Sequence, residues 1–183
     1  YTALEEDTWQ ASRRALEECR SAGIWTSLDP SVEAAGIARG ALLAAMPLVD
    51  HWLVSRRELQ LLSGEEDIQA GLSALLLRGA PAITLKLGSQ GSLFFSPGFT
   101  AAMPPFPVSA QTDTTGAGDV FAAGYILGLL KGCQPPERLA YGNALAGMAV
   151  EAGDGQRGLL RYANITTELE NRKGKILDLW REK

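Results

Sequence analysis

Short apolar segments alternate with stretches of helical periodicity through the first half of this chain, and that alternation restricts the fold more than any other feature. Residues 6–22 are rich in good helix formers, with Trp9, Leu16 and Cys19 spaced for one face, and Gly23 stands where a glycine ends a helix. Ile24-Trp25-Thr26-Ser27-Leu28 reads as a short strand stopped by Asp29-Pro30. An alanine-rich helix over residues 37–45 leads to a strand over 48–54, and Ser55-Arg56-Arg57-Glu58 has the Ser-x-x-Glu form of a capping box opening a helix. Ile68, Leu72, Leu75 and Leu76 mark the apolar stripe of the next helix, which Gly79 ends, and residues 82–87 form a third strand. Strands separated by helices need crossover connections, which place helices on both faces of a mostly parallel sheet. The predicted fold class is a layered α/β domain.

After Gly88-Ser89-Gln90-Gly91 the texture changes. Ser92-Leu93-Phe94-Phe95 and residues 99–103, separated by Ser96-Pro97-Gly98, predict an antiparallel hairpin at the sheet edge. Pro104, Pro105 and Pro107 then prevent ladder pairing, and helices follow at about 117–130, 137–152 and 166–180.

Composition excludes several function classes. Of the 183 residues 46% are hydrophobic, and 17 Lys+Arg against 21 Asp+Glu leave a net charge of -4, which argues against disorder and against a basic nucleic-acid arm. Cys19 and Cys133 lie far apart without CxxC spacing, so neither a zinc site nor a disulfide framework is expected, and the cytoplasm is the expected compartment. No apolar run reaches the roughly 20 residues of a membrane span, and Glu5-Glu6-Asp7 is the wrong chemistry for a signal peptide. No methionine precedes Met46, so the chain is expected to be part of a longer one, whose upstream segment could carry such a signal.

The segment Asp113-Thr114-Thr115-Gly116-Ala117-Gly118-Asp119, running into Val120-Phe121-Ala122-Ala123-Gly124-Tyr125, is the most informative for chemistry. Successive N–H groups at Gly116, Ala117 and Gly118, with the positive end of the following helix, would make an anion site suited to a phosphate. A carboxylate at Asp119 would repel phosphate, so its presence points to a different task, taking a proton from an attacking hydroxyl. Alternatively, the glycines only make a tight loop and Asp119 only complements the helix dipole. Other candidates carry similar alternatives. Glu58 could serve the capping box alone, Gly88 and Gly91 a turn alone, and Lys86 could be a solvated strand residue instead of a phosphate ligand. Asn143 lies on the inward stripe Leu139, Asn143, Ala146, Val150, where its amide needs partners that backbone carbonyls or a nucleotide could supply. His51, the only histidine, is expected to be structural or on the surface.

The string Asp-Thr-Thr-Gly-Ala-Gly-Asp followed by small residues closely resembles the C-terminal signature of the ribokinase-like (PfkB) carbohydrate kinase family. Further segments resemble that family in the same order over about residues 22–158. Residues 23–30 are similar to the strand that ends in an Asp-Pro-Asn turn, with Ser31 in place of Asn. Ser55-Arg56-Arg57-Glu58 resembles the Asn-x-x-Glu motif, again with Ser for Asn. Residues 83–91 are similar to the strand and Gly-x-x-Gly turn of the nucleotide site, and Asn143 matches a position beside the adenine pocket.

The resemblance implies a three-layer α/β/α fold with an antiparallel edge hairpin. It covers the C-terminal portion of such a kinase, so that the N-terminal part, with its lid and most sugar contacts, would lie upstream and this piece alone would be inactive. It implies transfer of the γ-phosphoryl of ATP to a hydroxymethyl oxygen of a sugar or sugar derivative. Asp119 would be the base, Gly116, Ala117 and Gly118 the charge-stabilising donors, and Lys86, Gly88, Gly91, Thr115 and Asn143 would contact the nucleotide. Mg2+ would be held mainly by phosphates with Glu58 acting through water, and Asp113 with the loop after Gly153 lies where some relatives surround a monovalent cation such as K+. No nucleic-acid or membrane partner is expected, and the family leaves room for a homodimer. The alternatives are a non-catalytic nucleotide- or phosphate-binding domain, which the serines at 31 and 55 favour, and a kinase of nucleosides or pyrimidine alcohols.

Overall fold

A computed structural model describes residues 6–108, 114–153 and 165–181. In chain order its elements are α1 (Glu6–Ser21), β1 (Ser27–Leu28), α2 (Val32–Ile37), α3 (Arg39–Ala45), β2 (His51–Ser55), α4 (Arg56–Ser63), α5 (Ile68–Leu77), β3 (Ile83–Lys86), β4 (Ser92–Ser96), β5 (Phe99–Met103), α6 (Ala117–Leu130), α7 (Pro135–Ala152) and α8 (Ile165–Arg181). The five strands lie in the order β1-β2-β3-β4-β5 in a mixed sheet with helices on both sides, the expected α/β/α class. Among the described residues no helix is long and apolar enough to cross a membrane.

The chain divides into two compact units, Tyr1–Leu85 with Phe95–Thr100, and Lys86–Phe94 with Ala101–Lys183. In the first unit β1 pairs with β2 in parallel, Ser27 opposite His51 and Leu28 opposite Trp52. The Asp50 carboxylate sets this register by accepting from Thr26 N at 2.8 Å and from Thr26 Oγ1 at 3.0 Å. His51, Trp52, Leu53 and Val54 are buried in succession, the run expected of a strand covered on both faces. Leu59 and Leu62 of α4 and Leu72 and Leu75 of α5 complete this core. His51 is structural, as expected, with Nε2 hydrogen-bonded to Thr84 Oγ1 at 2.9 Å. Both cysteines are free.

Three local predictions need correction. The strand over residues 24–28 shrinks to Ser27–Leu28. The helix over 37–45 is two helices broken at Ala38, the first of them starting earlier because the Ser31 hydroxyl caps it by accepting from Ala34 N at 3.0 Å. The second strand begins at His51, since Met46–Leu48 forms a 3-10 turn with Pro47 in its first positions.

In the second unit α6, α7 and α8 pack through Val120, Phe121 and Tyr125, through Leu139, Ala144 and Met148, and through Leu169, Ile176 and Leu177. The backbones of α6 and α7 approach closely at Gly124, where a β-carbon would fall 2.6 Å from the Tyr141 carbonyl oxygen. A hairpin joins β4 to β5 through Pro97-Gly98, as predicted; a connection this short makes the pair antiparallel.

Candidate functional site

The glycine-rich turn folds as its residue types demand. Gly116 is the N-cap of α6 with φ +76°, a left-handed conformation that a side chain would strain, and its carbonyl accepts from Val120 N at 3.0 Å. Ala117 N donates to the Thr114 carbonyl at 3.1 Å, so this N–H closes the turn. Gly118 follows in the first turn of α6, where N–H groups have no carbonyl one turn back within the helix. Asp119 is the third residue of α6 and is exposed, as is Thr115 in the turn before it. Asp113, the candidate cation ligand, and the loop after Gly153 lie outside the described residues.

Lys86 ends β3 and brings its ammonium to this turn, with Nζ 3.7 Å from where a β-carbon on Gly118 would stand. Behind Lys86 the chain reverses through a 3-10 turn closed by Gly91 N to Gly88 O at 3.0 Å and by Leu87 N to Gly91 O at 2.9 Å. Gly91 has φ +91°, and a β-carbon there would collide with the Met103 carbonyl oxygen, so the turn by itself requires this glycine.

These pieces open into one cavity of about 190 Å³ within the second unit, space for several water molecules at roughly 30 Å³ each. Six of the candidate residues line it: Lys86, Gly88, Gly91, Ala117, Gly118 and Asn143. Asn143 is 6% exposed, and its Nδ2 donates to Pro104 O at 2.7 Å and Met103 O at 3.3 Å. Backbone carbonyls thus satisfy the Asn143 amide nitrogen, the first of its two alternatives, and the residue also lines the cavity. Ala146 and Val150, on the same stripe, also line the cavity. Ser89, within the 83–91 segment, lines it too, while no sequence motif points to Phe106 or Gly147; Gly147 stands four residues after Asn143, on the stripe that already predicts an inward face.

Glu58 belongs to the first unit. It forms a complete capping box, in which Glu58 Oε2 accepts from Ser55 N at 2.6 Å and Ser55 Oγ accepts from Glu58 N at 3.3 Å. Its carboxylate is buried, and among the described residues no group of three His, Cys, Asp or Glu side chains could cage a metal ion.

A helix N-terminus with a left-handed glycine cap and a lysine beside it border a largely apolar cavity, a combination whose chemistry suits an anionic group next to an apolar one. The chain belongs to the pfkB family of carbohydrate kinases, whose family model matches residues 3–160. It is 28% identical over 162 residues to a 2-dehydro-3-deoxygluconokinase of Bacillus subtilis (strain 168), covering 86% of this chain and 50% of that protein. To a fructokinase of Klebsiella pneumoniae it is 37% identical over 124 residues, covering 63% and 39%. Its fold is ribokinase-like: it matches an E. coli protein described as a candidate ribokinase II, in complex with ATP and Mg2+, with a TM-score of 0.79 and 26% identity over 92% of this chain and 56% of that one. The chain spans about half the length, or less, of these relatives.

Proposed function

We propose that the protein of which these residues form the C-terminal, nucleotide-binding portion transfers the γ-phosphoryl of ATP to a hydroxymethyl oxygen of a sugar or sugar derivative. The observation that supports this reading is the convergence of Ala117, Gly118 and Lys86 on the lining of a largely apolar cavity. The lysine and the helix N-terminus suit a polyphosphate, and the apolar lining suits the faces of a flat heteroaromatic base. The relatives named as a fructokinase and a 2-dehydro-3-deoxygluconokinase favour a sugar or sugar acid over a nucleoside or pyrimidine alcohol as acceptor.

In this mechanism the acceptor hydroxyl oxygen attacks the γ-phosphorus while its proton passes to the Asp119 carboxylate, and ADP leaves with the β–γ bridging oxygen. The Gly116 and Gly118 N–H groups stabilise charge on the transferred phosphoryl, and Ala117 shapes the turn that aims them. Lys86 takes phosphate charge, Thr115 and the Gly88–Gly91 turn border the phosphates, and Asn143 borders the base. Magnesium fits as an ion carried by the phosphates, since the described residues offer no cage for it, and Glu58 would act on it only through water. When bound, the ion would supply charge neutralisation for the transferring phosphoryl group. A monovalent cation such as K+ would sit near Asp113.

Asp119→Asn in the full-length protein tests the assignment: turnover should fall on the order of 10²- to 10⁴-fold while ATP affinity stays near wild type. Turnover close to wild type would remove Asp119 from the role of base. The non-catalytic alternative would appear as ATP binding without turnover across a panel of sugars. Ser31 and Ser55, the residues behind that alternative, both cap helices.

A further inference from the structure

Two aromatic residues line the cavity, Phe121 of α6 and Phe106 on the loop that follows β5, and nothing in the sequence motifs explains what holds the Phe106 ring in place. Two features of the second unit do. On α7, Gly147 presents bare backbone to it: a β-carbon there would stand 3.0 Å from Phe106 Cβ and 3.2 Å from Cδ1, so any side chain would push the phenylalanine away. From α8, Arg172 places its guanidinium carbon 4.5 Å from the Phe106 ring centroid, a cation–π contact.

Arg172 itself is 8% exposed, which is rare for an arginine and requires that its charge be met. Its Nη1 donates to Glu151 Oε2 at 2.5 Å and its Nε to Glu168 Oε1 at 2.5 Å. Glu151 lies in the last turn of α7 and directly follows Val150, which lines the cavity. Through one side chain, then, α8 grips both the Phe106 ring and the end of the helix that supplies Asn143, Ala146, Gly147 and Val150 to the cavity.

We propose that Arg172 is a positioning residue for the nucleotide: it holds Phe106 as the wall against which the base lies. This rests on the assignment of the cavity to the nucleotide. The ion pairs account for a buried guanidinium, but they do not require it to lie over a ring that faces the cavity. A residue acting in this way should affect the affinity for ATP and leave the chemistry alone.

The test is a double-mutant cycle on Arg172→Met and Phe106→Leu in the full-length protein, read as KM and kcat for ATP and KM for the sugar, with melting temperatures as a control on folding. Arg172→Met should raise the KM for ATP about three- to tenfold with kcat and the sugar KM within twofold of wild type. Phe106→Leu, which keeps both ion pairs, should do the same, and the double variant should be little worse than either single. An unchanged KM for ATP in a folded Arg172→Met protein would overturn the proposal, as would independent, multiplying effects of the two substitutions. Failure of the underlying assignment looks different: wild-type protein that neither turns over nor binds ATP.

Discussion

Ser55 and Glu58 hold each other at the start of α4, and the same carboxylate is the candidate for acting on magnesium through water. The two roles separate by substitution, because glutamine can also complete a capping box whereas alanine cannot. Glu58→Ala should cost about 1 kcal/mol of stability in urea unfolding. Glu58→Gln should keep most of that stability, and if the carboxylate acts on the metal its turnover should still fall. Loss of turnover in the alanine variant alone would confine Glu58 to the cap. Ser31 carries the parallel lesson. Where family resemblance expects asparagine, a serine hydroxyl caps α2, a task asparagine performs equally well.

Among the elements, one charged cluster links α6, α7 and α8 beside their apolar contacts. The Glu170 carboxylate on α8 accepts from Tyr141 Oη on α7 at 2.6 Å and from Lys131 Nζ, at the end of α6, at 2.7 Å, and pairs with Lys173 at 2.8 Å. Both ammonium groups also lie over the Tyr141 ring. Burial pushes the Glu170 carboxyl up, but the hydrogen bonds from Lys131, Lys173 and Tyr141 outweigh it and hold the group down at about 2. A carboxyl with a depressed value in the folded state stabilises above its ordinary value of 4.5, and that contribution is lost as pH falls from 4.5 towards 2. Unfolding midpoints in urea measured across this window should decline more steeply for wild type than for Glu170→Gln. Parallel curves would show that the cluster contributes nothing to acid stability.

For the whole molecule, the length of the relatives matters more than any single contact. The chain spans about half or less of the proteins it resembles, and in the first unit Ile24, Trp25, Val32 and Ile37 remain 41–72% exposed. The 183 residues tested alone with ATP and a sugar panel are expected to give no turnover, because the family resemblance assigns the sugar contacts and the lid to a part of such kinases that these residues do not match. Measurable phosphorylation by this chain would refute that division of labour.

Sequence by itself determined the α/β class, the hairpin, the three late helices, the capping box at Ser55 and the glycine turn before α6. Each of these depends on local chemistry: side-chain periodicity, a cap hydroxyl, or a backbone angle only glycine adopts freely. Tertiary structure decided which residues meet. Nothing local indicates that Lys86 reaches Gly118, that Asn143 spends its amide on Met103 and Pro104, or that Arg172 lies over Phe106. Those pairs lie 32, 39 to 40 and 66 residues apart in the chain. Contacts at such separations arise only when whole elements pack, and packing follows from the shapes of buried surfaces that no short motif encodes.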